Sequence, residues 1–161
     1  MVFDWSTSRQ LCQDLFPLGS DIASFETEDE WTFLSSSNFA RLGVPLRYSR
    51  IWVGLSRPEN TADAWSWVAH ESETRGYVPP LNHTRWAPGE PSNGYEEQCT
   101  QIILTAKGHE DSSHVGRWAD EACYTRAPVI CEAKMPNYDN DKRKKREAEV
   151  EEEPSTYSTS K

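Results

Sequence analysis

Three carboxylates, Glu90, Glu97 and Asp120, stand close to cysteines in the segments WAPGEPSNGYEEQC (residues 86–99) and RWADEACYTRAPVICE (residues 117–132). Like charges crowded into one loop system repel each other, which favours a cation among them. Carboxylate oxygens suit a hard ion such as calcium, which takes six to eight oxygen ligands at roughly 2.3–2.6 Å. Other chemistries fare worse. The four histidines, His70, His83, His109 and His114, show no H-E-x-x-H spacing. No cysteine lies in a C-x-x-C pair, which argues against structural zinc. Paired carboxylates are also the tools of glycoside hydrolysis. There is no G-x-S-x-G nucleophile motif, however, and the chain is read as a binding protein, not an enzyme.

The 161 residues fit one domain and a tail. Residues 1–132 hold 10 Lys+Arg against 19 Asp+Glu and so carry the whole net charge of −9. An acidic body excludes a nucleic-acid partner, since phosphate contact needs a basic face. Seven Trp, six Tyr and five Phe allow a sizeable core despite a hydrophobic fraction of 36%. Cys12, Cys99, Cys123 and Cys131 allow three pairings. Their even number, the aromatic-rich acidic body and the Asn82-His83-Thr84 sequon favour a secreted glycoprotein from an oxidising compartment. No apolar run approaches the roughly 18 residues of a membrane span. The start, MVFDWSTSRQLC, lacks the basic and apolar regions of a signal peptide, so an incomplete N-terminus is expected.

The positioning elements can be read from pattern. Residues 5–16 read as a helix with an apolar face of Trp5, Ser8, Leu11, Cys12, Leu15 and Phe16, ended by Pro17 and Gly19. Ile22 to Phe25 is a short apolar stretch leading into a second helix. Thr27 and Glu30 form its capping box, and Trp31, Phe33 and Leu34 its apolar face. Strands are expected at 51–55, 65–68, 99–104, 116–119 and 127–132. Residues 72–98, with four Pro and three Gly, read as a long irregular loop of the kind that carries function. Residues 134–161 are charge-rich and read as a disordered tail. Its Arg143-Lys144-Lys145-Arg146 run, within 142–146, matches a convertase cleavage pattern, against the plainer reading of a solvated charged tail.

These landmarks come in a specific order. Trp5 seven residues before Cys12 is followed by Leu18-Gly19-Ser20-Asp21-Ile22-Ala23 and Trp52-Val53-Gly54-Leu55. Trp65, Trp67, Trp86, Gly89-Glu90-Pro91, Glu97-x-Cys99, Trp118-x-Asp120, Cys123 and Ile130-Cys131-Glu132 come next. Residues 3–132 therefore resemble a C-type lectin-like domain, N-terminally truncated, with the module taken as 1–133. The resemblance implies an α+β fold of two helices, two small antiparallel sheets and a long irregular loop. It implies the disulfides Cys12–Cys131 and Cys99–Cys123, each worth about 3–5 kcal/mol. The family's first strand would precede Phe3, and its absence would leave a sheet edge open.

In sugar-binding members of that family, Glu-Pro-Asn, a glutamate two residues before a cysteine and Trp-Asn-Asp hold one calcium, and two sugar hydroxyls complete its shell. The resemblance thus makes Glu90, Ser92, Glu97 and Asp120 the metal ligands (Ca2+). It makes Glu90, Ser92, Asn93, Glu97 and Asp120 the sugar contacts, with Tyr95 as an aromatic contact. Glu90 before Pro91 matches the mannose-type signature, and that peptide bond is cis in calcium-bound members. Two positions weaken the site. Ser92 stands where the family has Asn, although Asn93 is adjacent, and Ala119 stands where Trp-Asn-Asp has its Asn. A methyl group neither ligates nor hydrogen-bonds. The expected function is an extracellular, weakly calcium-dependent carbohydrate-binding module with glycans or glycoproteins as partners. The alternative is a calcium-independent module that binds a protein.

Overall fold

A computed structural model of the chain describes residues 1–15, 19–25, 27–36, 48–58, 65–68, 84–92, 96–105 and 112–133. The side chains of residues 33–36 are not described, so the expected inward faces of Phe33 and Leu34 lie outside that set, as do Phe16, Pro17 and the charged tail.

The first helix, α1 (Trp5–Leu15), starts where Asp4 caps it. The Asp4 Oδ1 accepts the Thr7 N–H at 2.8 Å. That bond, with those from the Thr7 and Ser6 hydroxyls, holds the Asp4 carboxyl below its ordinary range. The buried face of α1 is narrower than the sequence pattern implied. Ser8 and Cys12 are buried, whereas Leu11 and Leu15 are 37% and 54% exposed. Burial follows one i, i+4 line because a disulfide draws that line onto a small sheet. Gly19, at φ +95°, turns the chain after the helix.

That small sheet pairs β1 (Ser20–Ile22) with β6 (Cys131–Ala133), antiparallel, with Ile22 opposite Cys131. The last strand thus begins later than the sequence implied. Ala127 and Val129 make only single bridges, to Phe3 and Trp52. Phe3 and Ala127 exchange both backbone hydrogen bonds at 3.1 Å. The second helix, α2 (Glu28–Ser36), carries the expected capping box. The Glu30 N–H donates to the Thr27 hydroxyl at 3.2 Å, and the Thr27 N–H donates to Glu30 Oε2 at 3.1 Å.

The larger sheet contains β2 (Arg50–Ser56), β3 (Ser66–Trp67), β4 (Cys99–Ile103) and β5 (Trp118–Glu121). Its strand order is β3-β2-β4-β5 and all its pairs are antiparallel. Gly54 lies where three segments crowd together. A Cβ there would meet a Val68 methyl at 2.8 Å and the carbonyls of Ala23 and Ile22 at 3.1 Å. The Gly54 N–H donates to the Ala23 carbonyl at 2.8 Å, and its own carbonyl accepts from Val68 at 2.9 Å. Glycine therefore lets β2 touch both its neighbours.

One core cluster joins Ile51, Val53, Leu55, Trp67, Ile102 and Trp118. Phe25, Trp31, Trp67, Trp86 and Trp118 meet there edge to face, with ring centroids 5.5–5.9 Å apart. A second cluster gathers Cys12, Ile22, Trp52, Cys99 and Ala127. It contains the two disulfides, Cys12–Cys131 and Cys99–Cys123, which is the pairing the resemblance implied. The fold is thus α+β, with two helices and two small antiparallel sheets among the described residues. Among the described residues no helix is long and apolar enough to cross a membrane.

Candidate functional site

The turn bearing Glu90 is laced to β5. The Trp118 N–H donates to the Arg85 carbonyl and the Ala87 N–H to the Trp118 carbonyl, both at 2.8 Å. Gly89 takes φ +85°, and the Glu90 N–H closes the turn on the Ala87 carbonyl at 2.9 Å. The Glu90–Pro91 peptide is cis. This lacing sets Glu90 beside Asp120, two residues along β5 from Trp118. Asp120 is only 2% exposed, and its Oδ1 accepts the Ser92 N–H at 2.8 Å.

Two acids this close in a half-buried place do not both ionise readily. Burial is the main force pushing the Glu90 carboxyl up to about 7, followed by its hydrogen bond to Asp120 and the Asp120 charge. A hydrogen bond from the Ser92 side chain and the charge of Arg50 pull the other way. The Glu90 Oε2 is buried and receives no hydrogen bond from any of the described residues. A buried carboxylate oxygen without a donor, beside a second acid, is suited to a cation.

The remaining assigned residues differ. Glu97 is half-buried just before β4, and its main-chain carbonyl accepts from Arg57 Nη2 at 3.0 Å. Among the described residues no three His, Cys, Asp or Glu side chains stand close enough to hold one metal ion. The structure therefore brings together Glu90, Ser92 and Asp120, and among the described residues no third carboxylate joins them. Asn93, Tyr95 and Asn82 lie outside the described residues, as do His70, His83, His109 and the run 142–146. Ala119 is fully buried against Ala87 and Ile103 in a small apolar cluster. Glu90 and Asp120 offer carboxylate oxygens of the kind a calcium ion takes, and the buried methyl of Ala119 offers none.

Sequence reasoning missed the two arginines around this site. Arg50, at the start of β2, reaches Glu121 on β5 at 3.5 Å. Arg57, just past the end of β2, lies over the Trp65 ring at 4.9 Å from its centroid. An isolated arginine after a strand carries no local signal of such a partner. Only the strand order reveals it.

The family model described as the Lectin C-type domain matches residues 3–133. E-selectin of Bos taurus is 27% identical over 126 residues, covering 77% of this chain and 21% of that protein. The chain thus spans about a fifth of that relative's length. The mouse scavenger receptor C-type lectin carbohydrate-recognition domain superposes with a TM-score of 0.58 at 17% identity, covering 84% of this chain and 85% of that one. A calcium-independent type II antifreeze protein superposes with a TM-score of 0.55 at 18% identity, covering 83% and 82%.

Proposed function

Since this chain belongs to the C-type lectin domain family, we propose that it is an extracellular carbohydrate-binding module whose site takes one weakly held calcium ion. The observation that carries this reading is the Glu90–Asp120 pair, whose buried Glu90 Oε2 receives no hydrogen bond from the described residues. On this reading Glu90 and Asp120 supply carboxylate oxygens, the Ser92 hydroxyl a neutral one, and Glu97 a carboxylate brought in from the start of β4. A bound calcium ion offers coordination places to two neighbouring sugar hydroxyls. The same carboxylates accept hydrogen bonds from those hydroxyls. Asn93 and Tyr95 complete the sugar contacts, and Glu90 before Pro91 favours mannose-type sugars. The module is residues 1–133, followed by the charged tail, and its role is binding, not catalysis.

The test is the melting temperature of the oxidised chain in calcium and in excess chelator. Binding at a hundredfold excess over Kd adds about 2.7 kcal/mol, a shift of several degrees. That shift should vanish in Asp120→Ala. Mannose, in preference to galactose, should then compete for an immobilised glycan. No shift at millimolar calcium would refute the calcium reading.

A second reading has its own support. Ala119 gives apolar packing where a ligand would stand, and no third acid joins the described pair. On that reading the loop face docks a protein without calcium, and chelator changes neither stability nor binding.

A further inference from the structure

Arg57 spans the distance between two parts of the site that the sequence keeps apart. Its backbone N–H donates to the Gln98 carbonyl at 3.0 Å. Its Nη2 donates to the Glu97 carbonyl at 3.0 Å, across 40 residues of chain. The guanidinium carbon Cζ lies over the Trp65 ring, 4.9 Å from its centroid. Trp65 in turn meets Trp86, with ring centroids 4.8 Å apart and planes at 60°. Trp86 bridges to Trp118 on β5, and its neighbour Ala87 accepts the Glu90 N–H. A continuous path of contacts therefore runs from Glu97 through Arg57, Trp65 and Trp86 to the turn that carries Glu90.

We propose that Arg57 is a positioning residue of the calcium and sugar site, fixing the main chain at Glu97 relative to the Glu90 turn through the Trp65–Trp86 ring pair. The proposal rests on the calcium reading above. Its chemistry is particular to arginine. A planar guanidinium can donate in its plane to a carbonyl while its face lies on an aromatic ring, and an ammonium cannot do both in fixed geometry. The Arg57 Nε is buried with no hydrogen-bond partner among the described residues. The group is thus placed by the ring and the Glu97 carbonyl, at the cost of one unmade bond. Holding the carbonyl of Glu97 constrains the backbone from which its carboxylate leaves. Groups that orient metal ligands in this way typically change affinity by 10–100-fold when removed.

Arg57→Met and Arg57→Lys test this in the oxidised 161-residue chain. Calcium affinity is measured by calorimetry, and stability by melting in chelator. Met should weaken calcium binding about tenfold or more, Lys by less, with the melting point in chelator falling only a few degrees. Affinity within twofold of wild type in both variants would overturn the proposal, whatever happens to the melting point. Should the wild type bind no calcium, the reading above fails separately. Positioning is then judged by nuclear magnetic resonance without calcium. Shift changes spreading in Arg57→Met from the Trp65 indole to Trp86, Glu97 and Gln98 support it, and changes confined to Trp65 reject it.

Discussion

At the scale of single residues, Glu90 is a proton-binding group whose state depends on its surroundings. Its folded pKa of about 7 lies above the ordinary 4.5. Between those two values the folded chain keeps a proton that the unfolded chain has released. Stability in chelator must therefore fall as pH rises through this window. Glu90→Gln keeps the shape and removes the titration, so melting curves in chelator should flatten there. Calcium binding in the wild type should strengthen over the same window, as the Glu90 proton leaves. Ala119 makes a different prediction. On the calcium reading Ala119→Asn adds a ligand oxygen, but it buries an amide against Ala87 and Ile103. The variant should lose about 1–3 kcal/mol in chelator, and its calcium-induced gain in melting temperature should exceed the wild type's. An unchanged gain would show that position 119 does not face the ion.

At the scale of elements, the parts readable in the sequence are those fixed by local chemistry. The β-branched and aromatic runs gave β2 and β4 because such residues suit a buried pleated surface. Thr27 and Glu30 gave the start of α2 because each satisfies the other's free N–H. Thr27→Ala should cost about 1 kcal/mol, seen as a lower melting point with no change in calcium response. The resemblance implied two small sheets, but the strand Ser20–Ile22 was not readable from local pattern. Ser20, Asp21 and Ile22 are too few to show alternation, and they form a strand because β6 returns alongside them. Asp21 is buried there by a two-pronged ion pair with Arg9 from α1, with donor distances of 2.8–3.1 Å. Such long-range partners explain the late start of β6 as well. At the site, Glu90 and Asp120 were legible as acids in a known order. Their mutual distance depends on the lacing of 85–87 to β5, which leaves no trace in composition.

At the scale of the whole molecule, the aromatic cluster and the two covalent cross-links do complementary work. Trp118 meets Trp31, Trp67 and Trp86, so the site's turn, a helix and the central sheet share one packed centre. Disturbing that centre would couple stability to ligand binding, whereas Arg57→Met is expected to change mainly the latter.

The Cys12–Cys131 bond encloses a sequence separation of 119 residues, and with it nearly all the secondary structure. Topologically the enclosed segment is a covalent ring. One cut by a protease anywhere inside that ring opens it but releases nothing, since both fragments stay tied through the same bond. A nicked sample should therefore run as one band on a non-reducing gel and as two once reductant is added. A purification judged only under non-reducing conditions would count severed molecules as whole.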